Sequence, residues 1–329
     1  MSARTHAAVA GVGSVLPERV VPNSSFEATL DTSDEWIRER TGIRERRFAR
    51  DDQVTSDLAV EATRLGLEAA GISADQVDLI VCATLSGDTP IPSTAVWVQR
   101  KLGIACPAFD VNAACAGFSY AMSTGTAFIE SGAAETIVVI GAEVLSRVLD
   151  MTDRGTCILF GDGAGAVVLR PSASPGVIGS VLGADGRSAE ILIIPAGGSL
   201  RPASHETVDQ RLHYVKQEGA TVFKFAVKNT EEIARRLLER NGLQPSHLDL
   251  FVSHQANRRI IEAATERLGL GPEKVIINLE MYGNTTAGTI PLALADARRL
   301  GRLKKGDLVL LCSVGAGFTV GAVLLRWSL

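Results

Sequence analysis

The chain repeats itself. Leu67-Glu68-Ala69-Ala70-Gly71-Ile72, followed by Val77-Asp78-Leu79-Ile80-Val81, returns as Leu238-Glu239-Arg240-Asn241-Gly242-Leu243, followed by Leu248-Asp249-Leu250-Phe251-Val252. Asp249 stands 171 positions after Asp78 (249 − 78 = 171), and Gly242 stands equally far from Gly71. Each copy reads as a helix closed by Gly, a short turn and a buried strand. Downstream, Leu102-Gly103-Ile104 parallels Leu268-Gly269-Leu270, and Ala116-Gly117 matches Ala287-Gly288 at the same 171 spacing. Gly165-Ala166-Val167-Val168-Leu169 then parallels Gly321-Ala322-Val323-Leu324-Leu325. Chance similarity among apolar segments accounts for any one pair; an ordered series favours duplication.

Each half alternates helix and strand, with near-continuous apolar runs at residues 136–140 and 308–311. Such strands belong to sheets covered on both faces. Two halves related by a pseudo-twofold axis predict an α/β fold of five layers, α/β/α/β/α. The expected division is residues 1–174 and 175–329. Residues 171–218, weakly patterned and rich in Gly, Ser and Pro, read as a link and an insertion. Residues 7–16 read as a first buried strand rather than a leader, and no run has the length to span a membrane, which points to the cytoplasm. A net charge of −4 argues against nucleic acid as the main partner. Five Cys without paired spacing suit a reducing compartment.

Cys115 lies in Asp110-Val111-Asn112-Ala113-Ala114-Cys115-Ala116-Gly117-Phe118. Residues 105–111 read as a strand and 116–129 as a helix of small residues, which puts Cys115 at a helix N-terminus. The N–H groups and dipole there favour a thiolate. The surrounding Ala and Gly leave room for an acyl thioester, and the Cys115 N–H can hold an oxyanion. The same pattern also fits a small buried hydrophobe. Cys82, Cys106, Cys157 and Cys312 read as structural, in strand or loop settings with no helix following directly.

His254 follows the predicted strand 250–253 at its carboxyl end, where open α/β sheets place ligands; a helix is expected over 256–268. Asn284 sits in Tyr282-Gly283-Asn284-Thr285-Thr286-Ala287-Gly288, before another small-residue helix. A His at a strand end can be purely structural, and an Asn in such a turn serves the turn itself. The duplication makes the Asn284 turn the counterpart of the Cys115 turn, with both facing a shared axis. Asp162 in the run 160–166 lacks phosphate-loop and Rossmann spacing and reads as a tight turn between paired strands.

Several further motifs occur in one order: Asp31-Thr32-Ser33-Asp34-Glu35-Trp36-Ile37, Arg40-Thr41-Gly42-Ile43-Arg44-Glu45-Arg46, Ala114-Cys115-Ala116-Gly117-Phe118, Asp153-Arg154-Gly155-Thr156, Phe160-Gly161-Asp162-Gly163-Ala164-Gly165-Ala166, His254-Gln255-Ala256-Asn257 and Tyr282-Gly283-Asn284-Thr285. Together they make the chain resemble the 3-oxoacyl-acyl-carrier-protein synthase III family of initiating condensing enzymes, over residues 7–326. The resemblance implies the thiolase fold, a homodimer, and a catalytic set of Cys115, His254 and Asn284. It implies a starter acyl group passed from CoA to Cys115, then decarboxylative condensation with malonyl-acyl carrier protein to give a 3-oxoacyl product.

The resemblance also implies oxyanion N–H groups at Cys115 and Ala316, and CoA contacts at Trp36, Arg40, Arg154 and Asn257. It places a carrier-protein contact at Arg259, with Gln255, Arg258 and Lys224 as further candidates, and a dimer loop carrying Ile91 to the partner's acyl pocket, where some members have a bulky aromatic and the smaller Ile suggests room for branched or longer starters. Acyl-CoA and the carrier protein enter as substrates or partners; no cofactor, metal, nucleic acid or membrane is implied. Asn284 separates the chain from elongating relatives, which use a second His. Cys312, three residues before Gly315, does not match the Cys-x-Gly turn of thiolases. A polyketide starter-unit synthase or an acyltransferase of the same family uses the same three residues. A non-catalytic carrier-docking protein is disfavoured by their presence, and a nicotinamide oxidoreductase by the lack of a dinucleotide fingerprint.

Overall fold

The computed structural model describes residues 5–329. Nine of its strands build two sheets on one plan. In the first, β1 (His6–Val15), β2 (Leu79–Ala83), β3 (Ala108–Val111), β4 (Ile137–Glu143) and β5 (Gly163–Ser172) take the order β1-β5-β4-β2-β3. In the second, β6 (Val177–Ala184), β7 (Leu250–Ser253), β8 (Leu308–Gly315) and β9 (Thr319–Arg326) take the order β6-β9-β8-β7. The place of β3 there is held by one bridge between Phe251 and Val275. Parallel pairing sets Leu79 opposite Ile137 in one sheet and Leu250 opposite Val309 in the other. Both outer antiparallel pairs carry a register shift, at Val9/Gly11 and at Leu324/Leu325.

Seven helices complete the layers: α1 (Asp34–Thr41), α2 (Thr55–Ala70), α3 (Thr94–Leu102), α4 (Gly117–Glu130), α5 (Gly219–Arg240), α6 (Arg258–Leu268) and α7 (Thr289–Arg299). Phe118, Ala121 and Met122 of α4, with Ile290, Ala293 and Leu294 of α7, join strands of both sheets in one core. The two small-residue helices are therefore the middle layer. Helices α2 and α3 cover the outer face of the first sheet, and α5 and α6 that of the second. This is the five-layer α/β/α/β/α thiolase fold. Small residues make the middle layer thin: a methyl on Gly141 would lie 2.2 Å from the Ala287 carbonyl oxygen. The turn before α7 thus rests directly on the opposite half's strand.

The duplication reaches the backbone angles. Gly71 and Gly242 have φ of 66° and 67°, and Gly103 and Gly269 have 72° and 70°. Ala114 and Thr286, both non-glycine, share the left-handed region at 46° and 44°. This last pair corrects the alignment at the turns, since 286 − 114 = 172. Cys115 therefore corresponds to Ala287, and Asn284 to Asn112; the sequence match of Ala116-Gly117 with Ala287-Gly288 is one residue out of register. Small residues in both turns offered no bulky side chain to mark the shift.

Three other expectations change. Residues 171–218 are not all link and insertion, because β6 within them is an integral strand of the second sheet. It is half-exposed and Gly-containing, so its pattern is faint. Cys157 ends a short helix, Arg154–Cys157. Asp162 is not in a turn between paired strands: its carboxylate accepts from Ala49 N, Ser146 N and Ser146 Oγ at 2.7, 2.9 and 2.6 Å, and burial raises its pKa. No helix among the described residues is long and apolar enough to cross a membrane.

Candidate active site

The chain leaves β3, takes a left-handed step at Ala114 and passes through the 3₁₀ turn Ala114–Ala116 into α4. Asn112 Oδ1 accepts from Ala114 N at 3.3 Å and shapes that step. Cys115 sits inside the turn, 6 % exposed and one position short of the N-cap of α4. Burial pushes the thiol up to about 12, and the nearby Glu143 carboxylate adds to the rise. The helix end is expected to favour a thiolate, but the net shift is upward, with desolvation its largest cause. A thiol here needs a proton acceptor before it can attack.

The equivalent turn of the second half presents Asn284. Its Oδ1 accepts from Thr286 N at 2.9 Å, which holds Thr286 in its left-handed conformation. Its backbone is clamped on both sides: Asn284 N donates to Leu159 O, and Asn284 O accepts from Gly161 N. Among the described residues no acceptor takes Asn284 Nδ2, so this donor is left for the cavity. His254 leaves β7 with its N–H donating to Cys312 O at 2.8 Å, and its Nδ1 lies 2.7 Å from Thr289 Oγ1. Burial pushes the imidazole down to about 3, so the ring is neutral at physiological pH.

Cys115, His254 and Asn284 line one cavity of about 540 Å³. Its outer part holds Trp36, Arg40, Arg154, Asn257, Arg259 and Lys224. Trp36 is half-buried on α1, where the Ser33 hydroxyl accepts from its N–H. The guanidinium of Arg154 stands 4.7 Å from its ring centroid and that of Arg40 stands 5.6 Å away. Arg154 also donates to the Asp31 carbonyl oxygen and faces Asp31 Oδ2 at 3.5 Å. An aromatic plate with two cations beside it suits a nucleotide with phosphates. Asn257 caps α6 and donates to Arg40 O at 3.0 Å, tying that helix to α1.

Cys115 also borders a second cavity of about 220 Å³, lined mainly by Leu85, Leu145, Phe160, Leu192, Ile194 and Val215, with Ala316 at its edge. Gly315 permits this closeness, since a methyl there would lie 2.7 Å from Cys115 N. Thr319 Oγ1 donates to Ala113 O at 2.8 Å and joins the two backbone turns. The apolar chamber suits an acyl tail on the sulfur.

Not every docking residue is placed as expected. Gln255 is 1 % exposed. Its Nε2 donates to Ser253 O and Ile276 O, and its Oε1 accepts from Asn278 N. It cannot meet a carrier protein; it braces the His254 loop. Arg258 pairs with Glu280 and, at 3.7 Å, with Glu262, so its charge is committed within the protein. Arg259 and Lys224 are exposed at the cavity rim, with Arg259 5.4 Å from the Phe223 ring centroid. Ile91 is 88 % exposed and borders neither cavity of its own chain. Sequence reasoning missed Phe223 and Leu192, which lie where no periodic pattern marked them, and Phe318, whose ring stacks on Phe225 at 4.0 Å. It also missed Thr289, whose only signal was its place five residues after Asn284.

Models of 3-oxoacyl-[acyl-carrier-protein] synthase III match residues 109–186, and those of its C-terminal region match residues 238–327. The beta-ketoacyl-[acyl-carrier-protein] synthase III of Solibacter usitatus is 51 % identical over 327 residues, 98 % of this chain and 99 % of that protein. The crystal structure of 3-oxoacyl-[acyl-carrier-protein] synthase III from Aquifex aeolicus is similar with a TM-score of 0.90 and 42 % identity, covering 98 % of this chain and all of that one. The priming beta-ketosynthase of the R1128 polyketide pathway is similar with a TM-score of 0.91 and 35 % identity, covering 100 % of this chain and 98 % of that one.

Proposed function

The chain belongs to the 3-oxoacyl-[acyl-carrier-protein] synthase III family, and from that membership we propose that it initiates fatty-acid synthesis by joining a starter acyl-CoA to malonyl-acyl carrier protein through an acyl-Cys115 intermediate. The observation that carries this reading is the meeting of Cys115, His254 and Asn284 in one cavity. CoA enters along Trp36, Arg40, Arg154 and Asn257, and its thioester reaches Cys115. Attack by the sulfur leaves the acyl group in the smaller apolar chamber, with the oxyanion held by the N–H groups of Cys115 and Ala316. The malonyl thioester then takes the place of CoA, its oxygen between His254 and Asn284. Loss of CO2 there produces an enolate, which donors stabilise and which attacks the acyl carbonyl.

Residues 1–174, closing with β5, and 175–329, opening with β6, act as the two halves. A homodimer is supported by the edge of β3, which among the described residues pairs with β2 alone. Exposed Ile91 supports it too, because an apolar side chain so open fits burial by a second copy. The rim cations Arg259 and Lys224 are the dock for an acidic carrier protein. Arg259→Glu raises the KM for malonyl-carrier protein several-fold and leaves CoA-dependent acylation of Cys115 unchanged; steady-state kinetics read the first and intact mass the second. Unaltered carrier kinetics would remove Arg259 from the dock.

Priming of polyketides is the second reading, favoured by the similarity to the R1128 ketosynthase. A matrix of acetyl-, isobutyryl- and hexanoyl-CoA against malonyl-carrier protein, with products identified by mass, tests the substrate. Ile91 in place of a bulky aromatic and the apolar chamber beyond Cys115 lead us to expect isobutyryl or hexanoyl product to exceed acetoacetyl product. A preference for acetyl-CoA would overturn that expectation, and no 3-oxoacyl product with any starter would overturn the reaction itself.

A further inference from the structure

Thr289 has one hydroxyl proton and two neighbours in reach of it. Its Oγ1 lies 2.8 Å from the Thr286 carbonyl oxygen and 2.7 Å from His254 Nδ1. A carbonyl oxygen only accepts, so the Thr286 contact uses the proton of Thr289. Oγ1 can then meet Nδ1 only as an acceptor, which puts a hydrogen on Nδ1. In a neutral imidazole the other nitrogen is then bare. Nε2, the nitrogen left for the cavity, has no hydrogen-bond partner among the described residues.

The geometry points to Thr289 as a positioning residue that fixes His254 in its Nδ1–H tautomer, so that His254 enters the reaction as a proton acceptor for Cys115. The inference rests on the acyl-Cys115 reading above. Its origin lies in the duplicated turn. Asn284 Oδ1 holds Thr286 N, the left-handed Thr286 aims its carbonyl at Thr289, and Thr289 sets the imidazole. One turn thereby supplies the carboxamide donor and decides which imidazole nitrogen is bare. Burial holds the thiol up and the imidazole down, so no free ion pair forms and the proton moves to Nε2 only as Sγ bonds to the acyl carbon.

The proton can be followed through the cycle. The Cys115 S–H bond breaks as an N–H bond forms at Nε2, and Sγ bonds to the acyl carbon. The C–S bond to CoA breaks with its electron pair on the CoA sulfur, which takes a proton from solvent. A proton on Nε2 faces the malonyl thioester oxygen beside Asn284. Burial opposes this cation in the emptied cavity, so between CoA departure and malonyl entry its proton passes to solvent, and one returns to Nε2 as the malonyl thioester and its developing enolate oxygen face it. After CO2 leaves and the new C–C bond forms, the acyl–Sγ bond breaks and Sγ takes the proton back from Nε2. One solvent proton is consumed per turnover, and it leaves on CoA.

The test is ¹⁵N NMR of the enzyme labelled at its five histidines, with His254→Gln assigning the signal, alongside rapid-quench acylation by acetyl- and hexanoyl-CoA. Wild type shows protonated Nδ1 and bare Nε2; Thr289→Ser keeps that spectrum and Thr289→Val loses it. Thr289→Val slows Cys115 acylation by about tenfold or more, the lower end of a general base's contribution being about a hundredfold. Decarboxylation of malonyl-carrier protein falls less, because an imidazole freed from Thr289 can adopt the Nε2–H form and donate directly. Thr289→Ser recovers both steps. A wild-type spectrum with bare Nδ1 overturns the inference even if Thr289→Val does not fold. Wild-type acylation rates in Thr289→Val overturn it as well, and so does an equal fall in both steps without recovery by Ser. Failure of wild type to acylate at all would instead remove the underlying acyl-Cys115 reading.

Discussion

Cys115→Ala abolishes the acyl adduct and lowers condensation by at least about a thousandfold, the scale on which removal of a covalent nucleophile is felt. Intact-mass measurement after addition of acyl-CoA checks the first part, and product formation from malonyl-carrier protein the second. The substitution is a clean one for a structural reason. Ala287 occupies the equivalent position of the second half, so alanine in this turn is already compatible with a left-handed step and a following helix. Cys82 and Cys312 are buried in strands of the two sheets, and neither borders the cavities around Cys115. An adduct of equal yield on Cys115→Ala would therefore mean that the acyl group rests elsewhere, and the proposed mechanism would fall.

Asn284→Asp lowers malonyl decarboxylation and condensation by roughly a hundredfold or more, about 3 kcal/mol of barrier, while acylation of Cys115 falls by only a few-fold. The choice of Asp follows from the two roles of the side chain. Its Oδ1 accepts from Thr286 N and keeps that residue at positive φ; a carboxylate still accepts there. In the proposed mechanism the free Nδ2 is the donor toward the enolate oxygen, and a carboxylate oxygen in its place repels that charge. The variant thus separates the turn from the chemistry. Asn284→Ala removes both, so a larger loss with lowered thermal stability is expected from it. Equal falls in acylation and decarboxylation for Asn284→Asp would show that Asn284 acts through the turn alone.

Much of this site could be read from the chain because its parts are local. Cys115 and Asn284 lie in turns whose small residues announce close packing, and each precedes a helix of the middle layer. Trp36, Arg40 and Arg154 come in short motifs, and the cavity brings all three together. The docking residues were harder. Gln255 and Arg259 stand four positions apart, but one is buried against Ile276 and the other is open at the rim. Sequence spacing near the N-cap of α6 does not say which side chain folds under the loop. Arg258 was legible as a charge and not as a paired one, because Glu280 comes from a distant segment.

The sequence by itself determined the two-fold repeat, the alternation of helix and strand and the three residue types that suit a condensation. Hydrophobic period and turn composition are properties of neighbouring residues, so they survive without the fold. Only the tertiary structure decided that the repeat is offset by 172 at the turns, that burial raises the thiol, and that Thr289 meets the imidazole at Nδ1. Each of these depends on contacts between segments far apart in the chain, where desolvation and the direction of a single hydroxyl proton are set by what the other half packs against them.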